Sequence, residues 1–155
     1  MAEKPKKAPN FQLSDDAGGT IELKALRGAP VVVYFYPKDD TSGCTAEAKD
    51  FTCLADAFAA TGAAVIGISP DTVASHAKFK KKHALRVRLA ADNDAETAKS
   101  YGVWVEKQMY GHKYMGVERA TFLIDRTGTI TRTWRNVSVP GHAEEVLEAV
   151  NCLKS

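Results

Sequence analysis

Val31-Val32-Val33-Tyr34-Phe35-Tyr36-Pro37-Lys38-Asp39-Asp40-Thr41-Ser42-Gly43-Cys44 is the stretch whose reading decides the fold. Six consecutive β-branched and aromatic residues suit a central strand buried on both faces, and Pro37 stops it. From about Cys44 to Ala60 the period changes to helical, with Phe51, Leu54, Ala55 and Phe58 recurring at i, i+3, i+4 and i+7. Gly62 ends that helix. Ala64-Val65-Ile66-Gly67-Ile68-Ser69 then reads as a second buried strand.

Outward from this unit the alternation continues. Upstream, Phe11-Gln12-Leu13 and Thr20-Ile21-Glu22-Leu23 flank Asp15-Asp16-Ala17-Gly18-Gly19, which predicts a small hairpin. The first eight residues read as a flexible tail. Downstream, the pattern predicts a Lys-rich helix from Thr72 to His83, a short strand from Arg86 to Ala90, and a helix from Ala95 to Tyr101. Ala120-Thr121-Phe122-Leu123-Ile124-Asp125 and Thr129-Ile130-Thr131-Arg132-Thr133-Trp134 pair across Arg126-Thr127-Gly128. Pro140-Gly141-His142 opens a last helix with Val146, Leu147 and Val150 facing inward. The expectation is an α/β domain spanning residues 9–155, with a central mixed sheet and helices on both faces.

Composition narrows the function. The chain has 155 residues, 45% of them hydrophobic and 26% charged, which fits one domain with a real core. Lys+Arg total 21 against 19 Asp+Glu, so the net charge of +2 gives no reason to expect nucleic-acid binding. No apolar run reaches the ~18 residues of a membrane-spanning helix. Met1-Ala2-Glu3-Lys4-Pro5-Lys6-Lys7 has no apolar stretch behind it, unlike a secretory signal. Three cysteines are too few for a disulfide framework. A reducing, cytoplasmic setting is expected.

Cys44 is the candidate for chemistry. It opens a helix at the end of a strand-loop unit, among backbone N–H groups without intrahelical acceptors and at the positive end of the helix dipole. That environment favours thiolate, the form that attacks. A small buried core cysteine is the competing reading.

The residues around Cys44 carry a resemblance. Pro37-x-x-x-Thr41-x-x-Cys44 is the active-site signature of the peroxiredoxins. Tyr34-Phe35-Tyr36-Pro37-Lys38-Asp39-Asp40-Thr41 resembles in particular the bacterioferritin-comigratory, or peroxiredoxin Q, subfamily. The similarity runs on through Tyr101-Gly102-Val103-Trp104-Val105-Glu106-Lys107, Met109-Tyr110-Gly111-His112-Lys113-Tyr114-Met115-Gly116 and Arg119-Ala120-Thr121-Phe122-Leu123-Ile124-Asp125. It implies a thioredoxin-like fold with an N-terminal hairpin and a thiol-dependent peroxidase acting on hydrogen peroxide and organic hydroperoxides. No metal, haem or flavin is implied.

By the same resemblance, Cys44 is the peroxidatic cysteine that becomes a sulfenic acid. Thr41 contacts thiolate and peroxide, Pro37 shields the pocket, and Arg119 stabilises the thiolate and the departing oxygen. Backbone N–H groups of Gly43 and Cys44 add donors. Lowering a thiol pKa from ~8.5 to ~6 raises the thiolate fraction at pH 7 only about thirtyfold. Enzymes commonly reach ~10⁶ or more, so stabilisation of the transition state by Thr41, Arg119 and the backbone donors must supply the rest.

The sequence also departs from that family. Lys49 stands where many relatives carry a resolving cysteine, and Phe79-Lys80-Lys81 lacks the one found in others. Cys53 and Cys152 are the remaining candidates. Cys53 lies nine residues along the helix from Cys44, a rise of ~13.5 Å, whereas a disulfide needs Cα atoms ~4.4–6.8 Å apart. The favoured reading is a one-cysteine mechanism recycled by thioredoxin or another external thiol, in a bacterial cytoplasm, as a monomer. A non-catalytic peroxide sensor on the same fold is the alternative. A thiol-disulfide oxidoreductase is disfavoured, because no Cys-x-x-Cys is present.

Other residues read more plainly. His76 and His83, two turns apart, read as solvated helix residues. His112 and His142 lack metal-ligand spacing. Lys78, Lys80, Lys81 and Lys82 read as a solvated basic face. Asp39 and Asp40 read as turn residues.

Overall fold

The computed structural model describes residues 6–153. Its strands are β1 (Lys6–Lys7), β2 (Gln12–Asp15), β3 (Thr20–Glu22), β4 (Val31–Phe35), β5 (Ala64–Ser69), β6 (Arg88–Ala91), β7 (Trp104–Met109), β8 (His112–Val117), β9 (Ala120–Ile124) and β10 (Thr129–Trp134). The helices are α1 (Ser42–Cys53), α2 (Ala55–Ala60), α3 (Val73–His83), α4 (Glu96–Ser100) and α5 (His142–Cys152), with a 3-10 turn at Leu23–Leu26. Eight strands form one sheet in the order β1-β10-β9-β4-β5-β6-β2-β3, and β7 with β8 forms a separate hairpin. β4, β5 and β6 run parallel, while β9 meets β4 antiparallel. This is the expected mixed sheet, in a thioredoxin-like arrangement.

β4 is apolar without alternation because helices or loops cover both faces. Val31, Val33 and Phe35 enter a core with Ile66, Ile68, Phe122, Ala98 and Tyr101. Val32, Tyr34 and Tyr36 face the other way, toward Phe51, Phe58, Phe79 and Val146 of α1, α2, α3 and α5. Tyr34 stacks on Phe51 with ring centroids 4.7 Å apart. A Cβ on Gly67 of β5 would come within 2.7 Å of the Tyr34 ring and hydroxyl. A side chain there would push a ring already wedged in the core, so the small residue is a packing requirement.

Two expectations change, and one element is added. The helix predicted over 44–60 is two helices, broken at Leu54 (φ −99, ψ 9). The Leu54 N–H donates to Phe51 O in a tight final turn, and the Thr52 hydroxyl oxygen accepts from the Arg86 N–H. Neither device needs a Gly or Pro, so composition carries no warning. Lys6 and Lys7, inside the expected tail, pair with Ile130 and Thr129 of β10, and residues 1–5 lie outside the described residues. The β7–β8 hairpin is the added element, over residues where the sequence pattern predicts none. It turns through Tyr110 (φ 51) and Gly111 (φ 80), the left-handed pair that a two-residue hairpin loop requires.

Candidate active site

The β4–α1 connection brings Cys44 to the first turn of α1. Thr41 is the N-cap, so Ser42, Gly43 and Cys44 supply the N–H groups that the helix itself cannot use. Cys44 is 2% exposed and packs in the core beside α1, α3 and α5. Arg119, just after β8 and before β9, donates from Nη2 to Cys44 Sγ at 3.4 Å and from Nη1 to Glu47 Oε1 at 2.7 Å. Gly43 permits this approach, because a Cβ there would lie 3.0 Å from Arg119 Nη2. A sulfur, a guanidinium and a helix N-terminus thus meet at one point. The sulfur has a guanidinium donor and lies at the positive end of the α1 dipole.

Thr41 and Pro37 flank this point. Thr41 is exposed, and its hydroxyl donates to Lys38 O at 2.9 Å instead of capping the helix. Its proton is committed, and its lone pairs are what it can offer. Pro37 is half-buried at the start of the loop.

Glu47, one turn along α1 from Cys44, went unremarked in the sequence, though i+3 spacing puts it on the same face. It is 1% exposed, and its Oε2 finds no partner among the described residues. Burial, against the pull of Arg119, lifts its carboxyl to about 7. For Arg119 burial works against the charge, but Glu47 and Cys44 together outweigh it and its pKa rises. Burial also holds the Tyr34 phenol protonated, with Glu47 and Cys44 acting in the same direction. Lys107 of β7 is pulled down by burial and by Arg119, so the separate hairpin contributes a cation to the same electrostatic neighbourhood.

Glu47 makes stability depend on pH. Its folded pKa lies above the ordinary carboxylate range, so the native state holds the proton more tightly than the unfolded chain. The stability this contributes is full below that ordinary range and is lost as pH rises through about 7, at most about 3 kcal/mol. Thermal midpoints of the protein measured at pH 5 and pH 8 are therefore expected to fall with pH, and Glu47→Gln to flatten that part of the slope. An unchanged slope in the variant contradicts the assignment.

Asp39 and Asp40 do sit in a turn, but His76 and His83 depart from their reading as solvated residues. His76 is 0% exposed and faces Asp39 Oδ2 at 2.7 Å. His83 is half-buried and meets Asp40 Oδ1 at 2.8 Å, and Lys82 Nζ reaches Asp40 Oδ2 at 2.6 Å. Burial pushes His142 down to about 4, and its Nε2 lies 2.8 Å from Thr121 Oγ1, so it docks α5 as a neutral ring. Lys80 pairs with Asp16, while Lys78 and Lys81 are exposed. Asp39, Asp71 and His76 are the one set of described residues whose ligand atoms converge, within 4.8 Å. Asp39 already bonds both of the others within the protein.

All three cysteines are free, and Cys53 and Cys152 are exposed. Cys53 ends α1. α5 starts beside Phe51, already two turns beyond Cys44, and its end lines a groove with Ala57 and Ala60 of α2. Cys152 therefore sits at the far end of α5, a further ~15 Å along that helix.

Comparison with known proteins places the chain in a family with this fold. The AhpC/TSA family model matches residues 5–133. Peroxiredoxin Bcp of Bacillus subtilis is 44% identical over 145 residues, covering 94% of this chain and 92% of that protein. The bacterioferritin comigratory protein of Xanthomonas campestris, solved as trapped intermediate and ligand complexes, superimposes with a TM-score of 0.87 at 40% identity, over 91% of this chain and 90% of that one. Peroxidoxin BcpB of Mycobacterium tuberculosis gives 0.86 at 32% identity, with 100% of both chains covered.

Proposed function

The chain belongs to the AhpC/TSA family as a peroxiredoxin of the Bcp/PrxQ subfamily, and from that membership we propose that Cys44 is its peroxidatic residue, served by Arg119, Thr41 and Pro37. As a member it is a thiol peroxidase that reduces hydrogen peroxide and alkyl hydroperoxides. The observation that carries the assignment of Cys44 is the 3.4 Å bond from Arg119 Nη2 to its sulfur at the start of α1.

The thiolate attacks the terminal oxygen of the hydroperoxide. An S–O bond forms as the O–O bond breaks, sulfur gives up two electrons, and the departing alkoxide or hydroxide takes up a proton to leave as alcohol or water. Arg119 can follow the negative charge from sulfur to that oxygen, since its fork offers more than one donor. Thr41, whose proton is already given to Lys38 O, accepts from the hydroperoxide O–H and steadies it beside sulfur. Pro37 keeps water from the loop side.

The sulfenic acid is resolved by an outside thiol, in our reading thioredoxin or another small dithiol protein. Attack on the oxidised sulfur releases water and leaves a mixed disulfide, which a second thiol breaks. Cys53 lies nine residues along α1, too far for a disulfide while that helix holds, and Cys152 lies at the distant end of α5. A monomer in a reducing cytoplasm fits the same reading. No helix of the described residues is long and apolar enough to cross a membrane, and Bcp relatives such as that of Bacillus subtilis are bacterial.

The test is the intact mass of reduced protein after one equivalent of hydrogen peroxide, with peptide mapping. Gain of one oxygen on Cys44 without a crosslink is expected. Loss of two hydrogens with Cys44 joined to Cys53 or Cys152 overturns the one-cysteine mechanism. Continued peroxide consumption with a thiol reductant distinguishes the enzyme from a sensor, which stops after one equivalent.

A further inference from the structure

The loop leading to Cys44 is fastened to α3 by a buried polar knot. Asp39 Oδ1 accepts from the Tyr36 hydroxyl at 2.6 Å, and Oδ2 accepts from the Ser75 hydroxyl at 2.8 Å. The Asp39 backbone N–H donates to Asp71 Oδ2, which also accepts from the Ser69 hydroxyl. His76 completes the knot from α3, with Nδ1 2.7 Å from Asp39 Oδ2 and Nε2 3.0 Å from Ala90 O of β6. The side chains of His76 and Asp39 are 0% and 3% exposed.

Hydrogen-bond chemistry fixes how the knot is wired. A carbonyl oxygen can only accept, so His76 Nε2 carries a hydrogen toward Ala90. One proton then lies between Nδ1 and Oδ2, whichever atom holds it. The same ring therefore grips the sheet with one nitrogen and the loop with the other. Burying such a pair seldom stabilises a fold beyond what apolar side chains of similar size would give. What a buried, satisfied network does supply is a single, defined position. Here the fixed residue is Asp39, two before Thr41 and five before Cys44. The next residue, Asp40, holds a positive φ of 61°, and Lys82 and His83 of α3 pin its carboxylate.

We propose that His76 is a positioning residue for oxidation of Cys44: through Asp39 it sets the loop 37–41, and with it Thr41 and the first turn of α1, against the sheet and α3. The proposal rests on the peroxidase reading above and deepens it. A misplacement of about 1 Å at reacting atoms can cost about 10²-fold, so a loop anchor is expected to act on rate as well as on stability.

Two near-isosteres separate positioning from packing. In His76→Asn the amide nitrogen lies where Nδ1 was and can still donate to Asp39. In His76→Gln the amide reaches toward Ala90 O and gives up Asp39. Single-turnover consumption of hydrogen peroxide is measured well below the thermal midpoint of each variant, with peptide mapping of Cys44. The Gln variant is expected to oxidise at least about tenfold more slowly than the wild-type protein, with the rate rescued to within about threefold by Asn. A Gln variant within twofold of wild type, or an Asn variant as slow as Gln, overturns the proposal even if both variants melt earlier. Asp39→Ala cuts the tie from the loop side, should the Gln variant not fold. It too is expected to lose about tenfold, and a wild-type rate there overturns the proposal. Wild-type protein that does not oxidise at Cys44 overturns the peroxidase reading itself, and this proposal with it.

Discussion

Replacing Cys44 by serine is expected to abolish peroxide turnover, leaving at most about one part in 10³ of the wild-type rate. The reason is chemical before it is structural. The reaction moves two electrons out of the attacking atom, which sulfur allows by passing to a sulfenic acid and a serine oxygen does not. Serine is also a weak nucleophile without a base beside it, and the nearest charged partner of Cys44, Arg119, donates hydrogen bonds and removes no proton. The substitution is close to isosteric at a site that is 2% exposed, so the fold should survive and the thermal midpoint should stay near that of wild type. Residual thiol loss then reports Cys53 and Cys152, which are exposed and show no such partner among the described residues. The measurement is steady-state peroxide consumption with a thiol reductant, beside the thiol count after one equivalent. A Cys44→Ser protein that kept normal turnover would move the nucleophile to another cysteine and end the mechanism proposed above.

The parts of the fold that a reader of the sequence could recover are those whose burial has a simple period. β4 declares itself by six apolar residues without a break, because both of its faces are covered. α5 shows Val146, Leu147 and Val150 on one face; the two valines are buried and Leu147 is half-buried against the same core. The helix break at Leu54 is invisible because it is made by one hydrogen bond closing early and a threonine turned toward Arg86. The β7–β8 hairpin carries a turn signal of its own, Tyr110-Gly111 between two six-residue strands, but no apolar alternation strong enough to mark those strands. At the site, the pairing of Cys44 with Arg119 spans 75 positions, and no local pattern encodes it. Only the resemblance pointed to it. His76 shows the opposite failure. Its Lys-rich surroundings suggested a solvated helix face, yet it is the one polar side chain of α3 that turns fully into the core, where Asp39 meets it. A lone polar residue on a buried face becomes intelligible only with its partner, and that partner is 37 positions away.

Arg119 carries the second large expectation. Arg119→Met keeps much of the side chain's length and packing while removing every donor, and it is expected to slow oxidation of Cys44 by about 10² to 10³-fold, the usual loss for one donor aimed at developing charge. Two separable consequences follow from the two arms of the guanidinium. Nη2 faces sulfur at 3.4 Å, so its loss acts on the thiolate and on the oxygen that leaves. Nη1 holds Glu47 Oε1 at 2.7 Å, so its loss leaves a carboxyl that is 1% exposed without a partner. That second effect belongs to stability, because an unpaired buried carboxyl must keep its proton or destabilise the fold. Adding Glu47→Gln to Arg119→Met removes the ionisable group and should recover thermal stability at pH 8 without recovering rate. Arg119→Lys tests geometry against charge: one ammonium on a flexible stem cannot serve sulfur and Glu47 in the fixed fork of a guanidinium, so it should restore only part of the rate. The readout is the single-turnover rate constant with hydrogen peroxide for the three variants, beside their thermal midpoints. Arg119→Met within about threefold of wild type would show that the helix N-terminus and Thr41 suffice, and that the guanidinium is there to keep Glu47 in the core.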